Sequence, residues 1–314
     1  MKTQKMVGVD THKDTIACYC DGNFKEFQTT PSGFNQALKW AGNASWAVEG
    51  AYCFGKPFSA FLIKNGREVF EVNPLLTKTW RNILSISNPK NDYGDAKVIS
   101  LFAQKGRLQE VSLETIHLKE KLTARKLAVK QKTEITNSLK MLFSTRGKKL
   151  PFNDLTTLKA LCWLENQDDI VVLMQTKILR TILKGIKELE AQIKDELPEK
   201  ARKLTSLKGI SDIMAATIWA ETKGKLISPE KLASYAGIAP VEKSSGKTVR
   251  HQNNKTGNRT LNHCFYALSI AQKRFDPEGK KYYEKKIAEG KSPRHARKCL
   301  ARQLVNIVYK ILED

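Results

Sequence analysis

Val7-Gly8-Val9-Asp10 and Trp46-Ala47-Val48-Glu49 are two short apolar, β-rich runs that each end on a carboxylate, and their reading decides the fold. Strands fit 5–10, 14–20 and 23–29. The latter pair is separated by Asp21-Gly22, a dipeptide that favours a tight hairpin turn. Pro31-Ser32-Gly33 opens a helix running from Phe34 to Ala41. A strand at 45–49, a helix over about 54–64, a strand at 68–72 and a helical stretch from near Asp95 to Gly106 follow. Within Asn91-Asp92-Tyr93-Gly94-Asp95-Ala96, two further carboxylates stand three residues apart, where one face of a helix start presents both.

The order βββ-α-β-α-β-α is that of a ribonuclease-H-like sheet. In that arrangement strands one and four lie side by side, so Asp10 and Glu49 emerge at neighbouring strand ends, where open α/β sheets place their sites. Carboxylate oxygens suit Mg²⁺, and two such ions can clamp both sides of a phosphoryl displacement. Asp10, Glu49, Asp92 and Asp95 are therefore candidate metal ligands for cutting nucleic acid. Singly, an acid at a strand end is usually a cap or turn former; the constellation is more specific than its members. Asp14 starts the second strand, and His12 and Lys13 read as a solvated turn that could instead face phosphate.

Lys and Arg number 54 against 32 Asp and Glu, a net charge of +22, so a polyanionic partner is expected. The excess is uneven: +4 over residues 1–110, +5 over 111–200 and +13 over 201–314. The last third should carry most phosphate contacts. No run approaches the roughly 18 apolar residues of a spanning helix, and no signal-peptide core is evident, which predicts a soluble cytoplasmic protein. The six cysteines (18, 20, 53, 162, 264, 299) show neither zinc nor disulfide spacing and read as reduced core thiols.

From Leu113 to about Phe143 neither proline nor glycine occurs, and apolar residues recur at helical spacing. Arg146-Gly147-Lys148-Lys149-Leu150-Pro151 breaks this helix, and a second pattern returns from Ile178 to Ile193 before Pro198. The two form an antiparallel arm, whose apolar stripe serves internal packing, dimerisation or RNA binding equally well. Leu204 to Glu221 looks like a helix-hairpin-helix, with Lys208 and Gly209 placed to meet a phosphate; Ser211 stands where the second hairpin glycine is usual. Beyond Tyr235-Ala236-Gly237-Ile238-Ala239-Pro240, Ser244-Ser245-Gly246-Lys247 opens a polar basic run to Gly257-Asn258-Arg259. On composition this is a flexible turn. The functional alternative is a serine nucleophile, with Lys243, Lys247, Arg250, Lys255 and Arg259 binding phosphate.

Val-Gly-Val-Asp, Val-Glu-Gly, Lys-x-Asp-x-x-Asp-Ala, a hairpin ahead of Tyr-Ala-Gly-x-x-Pro, and Ser-Gly before Gly-Asn-Arg together resemble the insertion-sequence 110 family of transposases over essentially the whole chain. The resemblance implies a RuvC-like domain over 1–110 with a DEDD tetrad, a coiled-coil arm over 111–200 and a helical transposase domain over 201–314. Carried over, the tetrad is Asp10, Glu49, Asp92 and Asp95, and the catalytic serine is Ser245. It further implies Mg²⁺, donor and target DNA, a structured noncoding guide RNA that selects DNA by base pairing, and a homo-oligomer, dimer or tetramer. The activity so implied is RNA-guided DNA transposition through a phosphoserine-linked strand. A Holliday-junction-type nuclease using the tetrad and water, and a nonenzymatic nucleic-acid-binding protein, are the alternatives.

Overall fold

The computed structural model describes residues 5–313, apart from 75–76, 78–79, 82–90, 106–107, 223–227, 246–247 and 255–256, and gives 241–253 as backbone. Strand β1 (Met6–Thr11), β2 (Thr15–Cys20) and β3 (Asn23–Gln28) form an antiparallel meander. Its second turn uses Asp21-Gly22, both at positive φ (46° and 88°), as the sequence predicts. Helix α1 (Pro31–Ala41) leads to β4 (Ser45–Glu49), α2 (Lys56–Lys64) to β5 (Val69–Val72), and α3 (Asp92–Lys105) to the short β6 (Gln109–Glu110). The sheet order is β3-β2-β1-β4-β5-β6, with β4 parallel to both β1 and β5. The expected adjacency of strands one and four is thus observed.

Alternation along the strands assigns each residue to a face. Val7, Val9, Trp46 and Val48 join Phe34, Phe58 and Leu62 in one core. The Trp46 and Phe58 rings meet edge to face with centroids 5.2 Å apart. Gly8, Asp10, Ala47 and Glu49 fall on the opposite face, where Ala47 packs with Val72, Ile99 and Phe102. Helix α3 covers that face. A Cβ on Gly8 would lie 2.2 Å from the Ala96 carbonyl oxygen and 2.3 Å from the Ser100 nitrogen, so only glycine admits the helix this close.

The chain divides into two compact units, Met1–Lys119 with Thr222–Leu226, and Glu120–Glu221 with Ile227–Asp314. Helix α4 (Leu113–Thr145) begins in the first and continues into the second. In the second, α4 and α6 (Ile170–Asp195) run antiparallel: Arg125 Nε donates to Glu190 Oε1 at 2.7 Å, and Lys121 pairs with Glu196. Leu139, Phe143, Leu155, Leu161, Leu164 and Leu179 form a separate small core near the connection. Two features depart from the arm as read from sequence. Helix α6 starts at Ile170 rather than near Ile178, because the Asp169 carboxylate caps it by accepting from the Val171 and Val172 amides. An additional helix, α5 (Leu158–Glu165), capped by Thr157, fills the connection.

The remainder is α7 (Glu199–Arg202), a 3-10 turn (Lys203–Ser206), α8 (Asp212–Thr222), α9 (Pro229–Tyr235), β7 (Pro240–Ser245), β8 (Thr248–Asn253), α10 (Arg259–Phe275), α11 (Pro277–Ala288) and α12 (Pro293–Glu313). Helices α10, α11 and α12 pack on one another around buried Leu261, Phe265, Leu268, Leu300, Leu304 and Val308. The flexible basic loop expected after Pro240 is instead a two-stranded antiparallel ribbon with Pro240 opposite Asn253 and Ser245 opposite Thr248. Among the described residues no helix is long and apolar enough to cross a membrane.

Candidate active site

The first unit gathers carboxylates where β1 and β4 end. Asp10 shares the α3-facing side of the sheet with Gly8, and it is 8% exposed. Helix α3 starts at Asp92, a turn earlier than the sequence suggests, because the Asn91 side chain accepts from the Gly94 amide at 2.7 Å. Tyr93 fixes that start by stacking edge to face on Tyr19 and Phe24, with centroids 5.7 and 5.4 Å apart. Asp92 is thereby brought to the end of β1. His12 bridges the two acids, with Nε2 3.4 Å from Asp10 Oδ2 and 3.3 Å from Asp92 Oδ1.

One donor atom from each of Asp10, His12 and Asp92 lies within 4.8 Å of the others, a spacing that could hold a metal ion. The donor chemistry fits a divalent cation: two carboxylates and an imidazole nitrogen. The electrostatics point the same way. Burial pushes the Asp10 carboxyl above its ordinary value, His12 opposes this, and the Asp92 charge adds to it. A buried acid crowded by a second acid is the local charge state that a bound cation relieves.

The other two acids expected from the sequence, Glu49 and Asp95, have partners of their own. Glu49 follows Val48, which pairs with Val9 across the parallel ladder, so it stands beside Asp10 at the sheet end. Its Oε1 accepts a hydrogen bond from Thr77 Oγ1 at 2.6 Å, and its carbonyl accepts one from Thr11 Oγ1 at 3.0 Å. Asp95, one turn into α3, is paired with the Arg81 guanidinium. The close cluster therefore contains Asp10, His12 and Asp92, while Glu49 is bonded to Thr77 and Asp95 is paired with Arg81. Thr77 and Arg81 gave no sequence signal, since both come from the chain beyond β5. His12 had one: it follows Asp10 by two residues at the strand end.

Ser245 belongs to the other unit, at the far end of β7. Lys243 and Arg250 are register partners across the ribbon. Lys247 and Lys255 lie outside the described residues. The two flanking motifs interlock at the ribbon's base. The Asn258 amide donates to the Tyr235 carbonyl at 2.6 Å, and Asn262 Nδ2 donates to the Ala236 and Gly237 carbonyls at 3.0 and 3.1 Å. The Asn258 side chain donates to Glu221 Oε2 at 2.7 Å while accepting from the Thr260 and Leu261 amides, so it also caps α10. Tyr-Ala-Gly and Gly-Asn-Arg are thus halves of one clamp beneath the ribbon.

The hairpin at Lys208-Gly209 is tied down internally. Gly209 has φ +96°, and a Cβ there would lie 2.6 Å from the Ala271 Cβ. The Lys208 carbonyl accepts from Gln272 Nε2 at 2.5 Å, and Lys208 Nζ lies 3.8 Å from Asp276 Oδ1. Packing against α10 accounts for this glycine without a phosphate. Ser211 has its own task, accepting from the Met214 amide at 3.3 Å as the cap of α8.

Known proteins resemble the chain in both stretches. Over 151 residues the chain is 32% identical to the 43.6 kDa protein of insertion element IS110 from Streptomyces coelicolor, covering 46% of this chain and 37% of that protein. It is 28% identical over 150 residues to the 42 kDa protein of insertion element IS900 from Mycobacterium paratuberculosis, covering 44% and 38%. The matched stretch thus spans less than two fifths of those relatives. A family profile for IS110-type DEDD transposases, described as a transposase, matches residues 7–145, the stretch holding the carboxylates. A second, described as the Transposase IS116/IS110/IS902 family, matches 201–284, the stretch holding the ribbon. Matched in both stretches, the chain belongs to the IS110 family of transposases.

Proposed function

We propose that this chain is a DNA transposase that cuts and rejoins strands with two groups of residues, the carboxylates of the first unit and Ser245 of the second. The convergence of Asp10, His12 and Asp92 within 4.8 Å carries this reading, because it is the described cluster with metal-ligand spacing and it sits at the sheet end expected of such a site. Asp10 and Asp92 would hold Mg²⁺ with Glu49 and Asp95, and the ion would polarise a phosphate oxygen there.

Ser245 acts as the nucleophile. Its Oγ bonds to the scissile phosphorus as the bond to a sugar oxygen breaks, and the hydroxyl proton passes, in net, to that leaving oxygen. The phosphodiester is exchanged rather than hydrolysed, so its energy is retained for rejoining. A serine hydroxyl is a weak nucleophile by itself, and the basic residues of the same stretch of sequence, Lys243, Lys247, Arg250, Lys255 and Arg259, would supply the positive charge that binds and activates the phosphate.

The excess of +22 suits a polyanion, and DNA choice by a structured guide RNA belongs to this proposal. So does oligomerisation. Ile170, Met174 and Ile178 recur every four residues on α6 and are 78%, 54% and 44% exposed, a stripe suited to a second copy of the arm. Expression with the element's own ends on a plasmid tests the whole reading. Marked-element joining should require Mg²⁺ or Mn²⁺, Asp10 and Ser245. Joining that survives loss of either residue would overturn it.

A further inference from the structure

The second unit contains a cleft of about 670 Å³ that the reading above does not use. Its walls are the clamp turn Gly237–Pro240, the α10 residues Asn262, Tyr266 and Ser269, and the first turns of α12. Five basic side chains line it, Arg294, His295, Arg297, Lys298 and Arg302, and its described lining contains no carboxylate. Such a concentration of one sign is costly unless an anion answers it. Lys298 shows the strain: burial, then the charges of Arg294 and Arg297, push its ammonium below the ordinary lysine value. Beyond the lining, Glu230 approaches Arg302 at 3.7 Å.

An aromatic ring completes the chemistry. Tyr266 is 44% exposed, has the Arg297 guanidinium 4.6 Å from its centroid, and also lines an adjoining cleft of about 340 Å³ with Arg259, Asn262 and His263. Cations beside an exposed ring are what an unpaired nucleotide requires: phosphate on the guanidinium and ammonium groups, base on the aromatic face. A duplex keeps its bases stacked inside and offers the ring nothing. The cleft shares Gly237, Asn254 and Asn262 with the clamp beneath the β7–β8 ribbon. Five residue steps of strand take the chain from Pro240 to Ser245, a span of about 17 Å.

We infer that the cleft between α10 and the start of α12 binds a single-stranded segment of nucleic acid, stacking a base on Tyr266 and holding its phosphates with Arg294, Arg297 and Lys298. This inference deepens the proposed function, since it specifies an unpaired strand at the base of the ribbon that carries Ser245.

The test is fluorescence anisotropy of the full chain in EDTA, with labelled twelve-residue oligo(dT), oligo(rU) and a twelve-base-pair duplex at one salt concentration. Tyr266→Ala should weaken single-strand binding roughly 5- to 100-fold and duplex binding less than threefold, and Tyr266→Phe should retain single-strand binding, because stacking needs the ring alone. Arg294→Ala combined with Lys298→Ala should weaken the single strand and flatten its salt dependence by about two phosphates' worth of counterion release. Preference between oligo(dT) and oligo(rU) identifies whether DNA or RNA is the resident strand. A loss under threefold for the single strand in Tyr266→Ala, or an equal loss on duplex, overturns the inference. Thermal melts of each variant separate misfolding from lost contact. Because binding is read in EDTA and no cleavage is read, failure of the cleft and failure of the transposase reading give different results.

Discussion

Ser100 Oγ donates to the Met6 carbonyl at 2.8 Å, a hydrogen bond that spans 94 residues and ties the middle of α3 to the start of β1. With Gly8 beneath Ala96 and Ser100, this contact sets how far along β1 the helix sits, and therefore where Asp92 and Asp95 stand relative to Asp10. The carboxylate cluster depends on residues that carry no charge.

Gly8→Ala should destabilise the protein by about 1–3 kcal/mol through overpacking against the Ala96 and Ser100 backbone. It should also abolish joining, since the displaced helix carries both of its acids away from Asp10. Urea unfolding and the plasmid joining assay check the two parts. A stable, fully active Gly8→Ala protein would show that helix position is not what builds the site.

The second prediction concerns Asp10 and pH. Its folded pKa is raised, chiefly by burial, so the folded state binds more protons than the unfolded state between the ordinary carboxylate value and the raised one. Stability therefore falls as pH rises through that window. In metal-free buffer at neutral pH, Asp10→Asn should melt higher than wild type, and the gap should close below the window. Added Mn²⁺ should raise the wild-type melting temperature and leave the variant unmoved. Equal melting at neutral pH would contradict this account of the site.

Arg81 offers a third test. Its guanidinium pairs with Asp95 and also lowers the Asp10 carboxyl, so it opposes the same negative charge that a cation would. Arg81→Gln should tighten Mn²⁺ binding in the absence of DNA by about 3- to 10-fold, an interaction of about one kcal/mol at partly exposed positions. Titration calorimetry reads it directly. Unchanged or weaker binding would make Arg81 a positioning group instead of a competitor.

For the nucleophile, Ser245→Ala should eliminate a protein–DNA adduct that survives SDS, while Ser244→Ala should retain it. Mixing Ser245→Ala with Asp10→Ala protein should restore partial joining if the two groups act from different chains. Adduct formation by Ser245→Ala would remove the serine from the reaction.

Much of the first unit was legible in sequence because strand periodicity and the Asp21-Gly22 turn are local signals. Parity along β1 and β4 then puts Asp10 and Glu49 on one face. What was not legible came from contacts distant in sequence. Thr77 and Arg81 carry no motif, yet they hold Glu49 and Asp95. His12 was read as a solvated turn because its two carboxylate neighbours meet only after α3 docks. The β7–β8 ribbon was missed for another reason: its basic and polar residues lack the apolar alternation by which strands are recognised. The packing of Gly209 against Ala271 was likewise not legible, because Ala271 lies on a helix distant in sequence.

The burial of Asp10 has a genetic corollary. Most inactivating substitutions weaken a protein, and cells clear the weakened product. At position 10, loss of the charge relieves a cost, so a copy disarmed there would accumulate as folded protein that, on the proposed function, would still occupy nucleic acid. Decayed copies of the element would then act as competitors of active ones, and restrain its spread within the same genome.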